Sequence, residues 1–201
     1  MRVVLDVDGV LADFILGFTT LANRMFGSPV YTTLEQRVWD SFDGLTDAQH
    51  ARVWEAATQS PTFWEELPPI ASPAEFARLA AAAAAHDLYF VTSRIGLGVK
   101  AQTEAWLRRV GLSTPTVILS DAKGEVAKAV RADALLDDKA GNAVFTQYYS
   151  RGTAVYLIDR PYNRFDPAIL GSKIIRVRTL REFLDRIDGG AGQSNGAARE
   201  V

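Results

Sequence analysis

Short apolar runs recur along the chain, and longer, more polar stretches separate them. Each run is unbroken rather than alternating with polar residues, which is typical of strands buried on both faces of a parallel sheet. Six such runs predict six strands, at residues 3–7, 88–92, 116–119, 134–136, 153–158 and 174–177. The stretches between them carry helical patterns.

Helix start signals lie between the apolar runs. Ser72 and Glu75 form a capping-box pattern with a proline at the first helical position. Thr179 and Glu182 offer a second capping box, and residues 98–110 place apolar side chains on one helical face. Strand and helix patterns therefore alternate, which predicts an α/β fold with a doubly wound, Rossmann-like parallel sheet.

Residues 18–72 break this alternation. The stretch has no convincing strand pattern, is rich in aromatic residues and contains a helix start at Thr46. We therefore predict a small helical cap inserted after the first strand, with residues 1–17 and 73–188 forming the core domain. Residues 189–201 are rich in glycine and polar residues and predict a flexible tail.

Composition narrows the class of protein. The 201 residues are 48% hydrophobic and 23% charged, which is typical of one soluble globular domain with a small insertion. A net charge of -2 without a dense Lys/Arg stripe disfavours long nucleic acid as a partner. The lack of cysteine excludes disulfides, thiolate metal sites and a cysteine nucleophile. No apolar run approaches the ~20 residues of a membrane span, and the first residues do not resemble a signal peptide, so we expect a cytoplasmic protein.

Two carboxylates follow the first predicted strand. Asp6 and Asp8 are two residues apart, so their side chains should point the same way, at the sheet edge where ligands of open α/β sheets bind. Gly9 then allows a sharp turn and a close ligand approach. Clustered carboxylates repel each other unless a cation lies between them, and Mg²⁺ prefers oxygen ligands. The same pattern also occurs in surface turns. The residues at the other strand ends must therefore decide whether Asp6 and Asp8 form a cation site or an ordinary turn.

Two further segments of the chain carry side chains that can bind phosphate. Thr92 and Ser93 end the second predicted strand, where their hydroxyl groups could bind a phosphate oxygen or simply cap the following helix. Lys123 precedes a predicted helix and would neutralise a phosphoryl group, with Lys128 one turn later as the alternative. Each of these residues is ordinary alone, but together with paired acids they favour a phosphate site.

The fourth apolar run ends in Asp137 and Asp138 and mirrors the first. The segments D-V-D-G-V and V-T-S, Lys123 and the segment L-L-D-D occur in the order and spacing of four motifs. In these motifs the chain resembles the haloacid dehalogenase-like phosphohydrolases, and the resemblance extends from the first strand to Asn142.

This resemblance implies a reaction and a role for each matched residue. Asp6 would be the nucleophile and form an aspartyl-phosphate. Asp8 would protonate the leaving oxygen and later activate water. Thr92, with Ser93 beside it, and Lys123 would hold the phosphoryl oxygens.

The resemblance also implies a magnesium site. Mg²⁺ would be bound by Asp6, by the backbone carbonyl of Asp8 and by Asp138, with Asp137 in support. The sequence alone leaves open which of the two adjacent acids contacts the metal directly. It equally leaves open whether Lys123 or Lys128 is the phosphate-binding lysine.

A closer resemblance is to the 5'-nucleotidases that act on deoxyribonucleoside monophosphates. It rests on D-G-V-L-A-D-F, L-E-Q-R, W-E, F-W-E-E-L-P-P-I and L-L-D-D-K, which span nearly the whole chain except the tail. The insertion would then be a cap whose aromatic residues stack on the nucleobase, an interaction worth ~1–3 kcal/mol per base. The alternative is that these residues fill the small core of the cap itself. By position, the candidates are Phe14, Trp39, Trp54 and Phe63.

Several other functions remain to be weighed. The same core could hydrolyse sugar phosphates or other small phosphates, or the chain could be an inactive nucleotide-binding protein. A dehalogenase is disfavoured because Asp8 marks the phosphate-transferring branch of the superfamily. Gly96 and Gly98 resemble a dinucleotide-binding fingerprint, but they follow the second strand rather than the first. The expected partner is a small phosphate monoester, above all a nucleoside monophosphate, with no membrane and with a homodimer as an alternative to a monomer.

Overall fold

The computed structural model describes residues 1–27, 44–164, 166, 169 and 172–191. Within these residues, all six predicted apolar runs form strands whose ends differ from the predicted ones by at most two residues. The strands are β1 Arg2–Leu5, β2 Asp87–Thr92, β3 Thr116–Leu119, β4 Ala134–Asp137, β5 Ala154–Ile158 and β6 Ile175–Val177. They form one sheet in the order β3-β2-β1-β4-β5-β6, and each pairs in parallel with its neighbours.

The sheet is covered by helices on both faces. In the described residues these are α1 Phe14–Phe26, α2 Asp47–Gln59, α3 Pro73–Ala82, α4 Val99–Arg109, α5 Lys123–Ala129, α6 Ala140–Tyr149 and α7 Leu180–Ala191. The predicted capping box of Ser72 is formed at the start of α3, and the predicted helix start at Thr46 also has one, at the start of α2. At the second predicted box, Thr179 Oγ1 accepts from the N–H of Glu182 at 3.1 Å, but the Glu182 side chain accepts from the N–H of Arg178. No helix in the described part of the chain has the length and apolar character needed to cross a bilayer.

Two apolar clusters occupy the two faces. Val3 and Leu5 belong to a cluster with residues of α1, α2, α3, α4 and α7, whereas Val4 belongs to a cluster with residues of α5 and α6. Successive side chains of a strand point to opposite faces, so the buried positions 3–5 of the central strand β1 must all be apolar. This burial explains the unbroken apolar runs, and the doubly wound fold is confirmed.

Residues of the predicted insertion pack on α1 and on the core. α2 contacts α1 through Trp54, whose ring lies 5.1 Å from that of Phe18 between centroids. Residues 28–43, including the predicted base contact Trp39, lie outside the described residues. The division into a core and a cap therefore stays a prediction. α7 extends to Ala191, and the rest of the predicted tail is also outside the described residues.

Residues 60–67, here called the 60–67 segment, fasten the insertion to α4. The backbone N–H of Trp64 donates to Gln102 Oε1 at 3.0 Å, and Trp106 Nε1 donates to the carbonyl of Leu67 at 2.7 Å. Arg109 Nη2 also donates to the carbonyl of Leu67, at 2.9 Å. These buried polar contacts hold the 60–67 segment in one position beside the carboxyl edge of the sheet.

The loop between β2 and α4 touches the end of α2 through a glycine. Gly96 has a φ of +123°, and a Cβ built on it would lie 2.3 Å from the carbonyl oxygen of Thr58. The next residue, Leu97, donates its N–H to that same oxygen at 2.8 Å. Gly98 has a φ of +59° and open space around it, and it precedes α4. The spacing that resembled a dinucleotide fingerprint thus serves a turn and a backbone contact.

We expect Gly96→Ala to lower the free energy of unfolding more than Gly98→Ala does. Both substitutions force a Cβ into a positive φ, which costs ~1–3 kcal/mol, but only the first also brings the Cβ against the Thr58 backbone. Urea denaturation of the two variants measures the difference, with Gly98→Ala as the matched control for strain alone. Equal losses would show that the contact between this loop and α2 is not tight.

Candidate active site

The carboxyl ends of β2, β1 and β4 lie side by side at one edge of the sheet. Leu5 is in register with Phe90 on one side and with Leu136 on the other. The residues that end or follow these strands therefore meet, as expected for the ligand-binding edge of an open α/β sheet. The predicted residues gathered in this way are Asp6, Asp8, Thr92, Ser93, Asp137 and Asp138.

Asp6 continues the β1–β4 ladder into the site. Its backbone N–H donates to the carbonyl of Leu136 at 2.9 Å. Its side chain is buried, with Oδ1 accepting from the N–H of Val7 at 2.6 Å and Oδ2 paired with Lys123 Nζ. The carboxylate is thereby fixed in one orientation at the end of the central strand.

The turn after Asp6 requires a glycine. Gly9 has a φ of +78°, and a Cβ at this position would lie 2.1 Å from Asp138 Oδ2 and 2.6 Å from the hydroxyl oxygen of Tyr162. Glycine has no side chain, so the turn after β1 can close against the loop after β4. Any other residue would clash there. The sequence analysis expected Gly9 to permit the close approach of a ligand, and the group that approaches it in the structure is Asp138.

Lys123 is the lysine that the fold brings to this cluster. It is the first residue of α5 and is buried, and its Nζ pairs with Asp6 Oδ2 and with Asp137 Oδ2, the latter at 2.9 Å. Lys128, the alternative from the sequence, is exposed one turn later on the same helix. The geometry thus favours Lys123 as the lysine of the site.

The adjacent acids differ in how their oxygens are used. Both oxygens of Asp137 accept from nitrogen, from Lys123 Nζ at 2.9 Å and from Asn142 Nδ2 at 3.1 and 3.2 Å. Asp138 accepts from the hydroxyl group of Tyr162 at Oδ2, and its buried Oδ1 has no hydrogen-bond partner among the described residues. A buried acceptor without a donor is costly, so this oxygen is the one available to a ligand.

Negative charge is in excess in this buried cluster. Asp6, Asp137 and Asp138 each place one carboxylate oxygen within 4.8 Å of the others, beside the buried ammonium group of Lys123. Burial raises the pKa of Asp6 to about 6 despite the opposing effect of Lys123. Burial, followed by the charges of Asp6 and Asp137, raises the pKa of Asp138 well above its ordinary value. Burial lowers the pKa of Lys123, but Asp137 and Asp6 outweigh it, and the net pKa is raised.

This set of donors fits a hard divalent cation. All three side chains offer carboxylate oxygens, and Mg²⁺ takes oxygen ligands from one or two carboxylates together with phosphate. Asp138 Oδ1, which has no donor among the described residues, is an oxygen that such an ion could take as a ligand. The expected magnesium site is therefore chemically consistent with the residues present.

The loop after β5 completes the cluster with residues that the sequence analysis missed. Tyr162 donates to Asp138 Oδ2, Asn163 Nδ2 donates to the carbonyl of Asp138 at 2.6 Å, and Arg160 Nε donates to the carbonyl of Gly9 at 2.6 Å. Burial first, and then the charge of Asp138, raises the pKa of Tyr162, so its phenol stays a donor. No motif or periodicity marks these residues, because they are ordinary loop types that come together only through the order of the strands.

Asp8 lies on the other side of the turn, in a bidentate pair with Arg94. Arg94 Nη2 donates to Asp8 Oδ1 at 2.8 Å, and Arg94 Nε donates to Asp8 Oδ2 at 2.9 Å. Thr92 Oγ1 lies 3.4 Å from the same Oδ2. The sequence analysis did not select Arg94. Its only signal was its position two residues after the last residue of β2, next to the predicted hydroxyl pair.

A cleft of about 110 Å³ opens beside these residues. Thr92 is buried at the end of β2, and Ser93 is exposed at the cleft. One part of the lining is polar and one part is aromatic or aliphatic, as expected for a site that takes a ligand with a charged and an apolar end. The lining residues are Asp6, Asp8, Phe14, Trp54, Trp64, Thr92, Ser93, Arg94, Ile95 and Lys139.

The predicted aromatic residues divide into two groups. Phe14 and the half-buried Trp54 line the cleft, with ring centroids 5.4 Å apart in a stacked arrangement. Phe14 also stacks on Trp64 at 5.8 Å, a cleft residue that the sequence analysis did not select. Phe63 is buried and packs edge-on against Phe14 at 6.4 Å, so it resembles a packing residue of this aromatic cluster. Trp39 is outside the described residues.

We expect Asp138→Asn to raise the free energy of unfolding in EDTA at pH 7 by about 1–3 kcal/mol, because the amide removes one of the three buried carboxylate charges. The folded state holds a proton on Asp138 more tightly than the unfolded chain does, so wild-type stability falls as the pH rises from about 4. The advantage of the variant should therefore shrink towards pH 4. Chemical denaturation at several pH values tests this, with the exposed Asp121→Asn as control. A variant less stable than wild type would show that the cluster is not strained by charge.

The fold is similar to solved structures over nearly the whole chain. A Thermotoga maritima protein described as a beta-phosphoglucomutase has a TM-score of 0.55 and 15% identity, covering 94% of this chain and 99% of that chain. A Lactobacillus plantarum protein described as a phosphoglycolate phosphatase has a TM-score of 0.56 and 12% identity, with 92% and 97% covered. An L-2-haloacid dehalogenase has a TM-score of 0.53 and 14% identity, with 94% and 98% covered. At such identities the similarity shows the haloacid dehalogenase-like fold alone.

The amino-acid sequence identifies a narrower group. No curated protein sequence matches the chain significantly. The family described as "5' nucleotidase, deoxy (Pyrimidine), cytosolic type C protein" matches residues 1–173, a range that includes all four strand-end motifs and the insertion. The chain therefore belongs to this 5'-nucleotidase family of haloacid dehalogenase-like phosphoric monoester hydrolases.

Proposed function

We propose that the protein hydrolyses nucleoside 5'-monophosphates with the help of Mg²⁺, through an aspartyl-phosphate on Asp6. One observation carries this proposal. The buried carboxylate of Asp6 is paired with Lys123 and lies beside Asp138, whose Oδ1 has no hydrogen-bond partner among the described residues. A nucleophile, a counter-charge and a spare oxygen for a cation thus meet at the carboxyl edge of the sheet.

Mg²⁺ would be held by Asp6, by Asp138 and by the backbone carbonyl of Asp8. Asp137 would support the site rather than bind the ion, because both of its oxygens already accept from Lys123 or Asn142. When bound, the ion offsets the charge of the carboxylates and of the phosphate dianion and makes phosphorus easier to attack.

Asp6 and Asp8 would carry out the two chemical steps of the reaction. The Asp6 carboxylate attacks phosphorus, and a bond to Asp6 forms as the bond from phosphorus to the ester oxygen breaks. Asp8 gives its proton to the leaving nucleoside oxygen. In the second step Asp8 takes a proton from water, the water oxygen attacks phosphorus, and Asp6 and inorganic phosphate are released.

The phosphoryl oxygens would be bound by the hydroxyl groups at the end of β2 and by Lys123. Thr92 and Ser93 line the cleft on the side of Asp6 and Asp8. Donors that are already in place when charge moves onto the phosphoryl oxygens stabilise the transition state without reorganisation.

A nucleotide is favoured over other monoesters by the aromatic wall of the cleft. Trp54, Phe14 and Trp64 line it together with Ile95, and an aromatic ring can stack on any nucleobase. The phosphate-binding residues do not distinguish a nucleotide from a sugar phosphate, so selectivity must come from this wall. The site of action expected from the sequence, the cytoplasm, belongs to the same proposal.

Two other functions compete with this one. A sugar phosphatase would use the same polar residues and gain nothing from the aromatic wall. An inactive nucleotide-binding protein would use the wall but would not need Asp6 or Asp8. The deciding experiment is a phosphate-release screen with Mg²⁺ or EDTA over all ribo- and deoxyribonucleoside 5'-monophosphates, common sugar phosphates and p-nitrophenyl phosphate. Preference for sugar phosphates, or Mg²⁺-independent or absent turnover, would overturn the proposal.

Asp6→Asn should abolish turnover while the protein stays folded, because an amide cannot replace an ionised carboxylate as the nucleophile. Steady-state assays and a thermal melt of the same preparation check both parts. Asp87→Asn is a suitable control, since Asp87 is an exposed aspartate at the amino end of β2, far from the site along the strand. Wild-type activity in Asp6→Asn would contradict the mechanism.

Trp54→Ala should weaken nucleotide turnover by roughly 1–3 kcal/mol in kcat/KM, the worth of one base stack. Hydrolysis of glycerol phosphate, which has no base, should change little. Phe63→Ala provides the comparison, because the loss of a buried ring should lower stability by ~3–5 kcal/mol and affect all substrates alike. If Trp54→Ala also affects both substrates equally and lowers the melting temperature, Trp54 is a packing residue and the preference for nucleotides loses its main support.

A further inference from the structure

The pair formed by Arg94 and Asp8 is unusual in its burial. The side chain of Arg94 has no exposed surface, and that of Asp8 is 14% exposed. The guanidinium contacts both carboxylate oxygens in a fork, at 2.8 and 2.9 Å. Such a bidentate contact constrains the plane of the carboxylate as well as its position.

Arg94 is also held in place by residues other than Asp8. Its Nη1 donates to Thr103 Oγ1 at 3.1 Å and to the carbonyl of Trp64 at 3.5 Å. Thr103 is buried on α4, and its own hydroxyl donates to the carbonyl of Val99 at 2.8 Å, which turns a lone pair towards Arg94. The guanidinium carbon also lies 5.1 Å from the centroid of the Trp64 ring, in a cation–π contact.

We propose that Arg94 is a positioning residue that fixes the orientation of the Asp8 carboxylate over the cleft. The inference rests on the proposed function, in which Asp8 transfers protons to the leaving oxygen and from water. A side chain with this task must be held within about 0.5 Å and 10–20° of its productive geometry. Asp8 lies beyond the end of β1, where its χ angles are not restrained by a regular strand, and Arg94 supplies the restraint.

The same contacts connect the insertion to the chemistry. Trp64 belongs to the 60–67 segment and lines the cleft beside Phe14, while its carbonyl and ring hold Arg94. A ligand that presses on the aromatic wall therefore acts on a residue that touches Arg94, and Arg94 touches Asp8. Recognition of the leaving group and orientation of its proton donor share one set of contacts.

The test compares Arg94→Lys and Arg94→Met with Asp8→Asn and with the double variant Arg94→Met/Asp8→Asn. A misoriented Asp8 should lower kcat by roughly 10–100-fold for a nucleoside monophosphate, which has a poor leaving group, with little change in KM. The loss should be smaller for p-nitrophenyl phosphate, whose leaving group needs less protonation. Asp8→Asn alone should cost about 10²–10⁴-fold, and adding Arg94→Met should change it by no more than about twofold.

Two controls separate positioning from a merely structural role. Arg109→Met removes an arginine on α4 that also contacts the 60–67 segment, at the carbonyls of Glu65 and Leu67, but does not contact Asp8. It should lower kcat for both substrates by the same factor, or not at all. Thr103→Val loosens Arg94 without removing it, and should show the leaving-group dependence in a weaker form even if the Arg94 variants fail to fold.

Each outcome decides the question. A normal kcat with a raised KM in Arg94→Lys would make Arg94 a phosphate ligand, and independent losses in the double variant would show that it does not act through Asp8. Losses of equal size for both substrates in Thr103→Val would also overturn the inference. If the wild type releases no phosphate from any monoester, the proposed function fails. If wild type is active, Asp6→Asn is inactive and the Arg94 pattern is missing, only the inference fails.

Discussion

The structure depends on accommodating three buried carboxylates, those of Asp6, Asp137 and Asp138, around the single ammonium group of Lys123. In a medium of low dielectric, like charges at such distances repel strongly, and one lysine does not balance them. Burial first, and then the repulsion between the carboxylates, raises the pKa of Asp6 and Asp138. One Asp138 oxygen also has no donor among the described residues. The cluster therefore lowers the stability of the folded state, at the place where the proposed cation and phosphate group would restore it.

The scaffold imposes this arrangement through parts of the chain that are far apart in sequence. Parallel register brings the ends of β1 and β4 together, and Gly9 lets the two loops touch. The loop after β5 then closes the cluster, since Asn163 binds the backbone of Asp138 and Arg160 binds that of Gly9. Because these contacts involve backbone groups, the carboxylates remain close despite their repulsion.

The 60–67 segment of the predicted insertion is joined to Arg94, and through it to Asp8, by a buried hydrogen bond and aromatic contacts. Trp64 accepts from Arg94 on one side and stacks on Phe14 on the other. The surface proposed to recognise the leaving group is therefore connected, through Arg94, to the residue proposed to protonate that group. In the proposed function the polar residues contact only phosphate, so a change in the aromatic wall would change the substrate without a change in these residues.

The sequence by itself determined the six strands, the helix starts at Thr46 and Ser72, and the chemistry expected at the strand ends, because burial and capping leave local patterns. It also determined the family, through motifs that span most of the chain. Only the tertiary structure separated Lys123 from Lys128, and only it distinguished Asp138 from its neighbour Asp137. One Asp138 oxygen has no donor in the described part of the chain, whereas both oxygens of Asp137 accept hydrogen bonds. Only the structure revealed Arg94, Tyr162 and Trp64 at the site. Their roles arise from contacts between distant segments, which residue type and spacing do not encode.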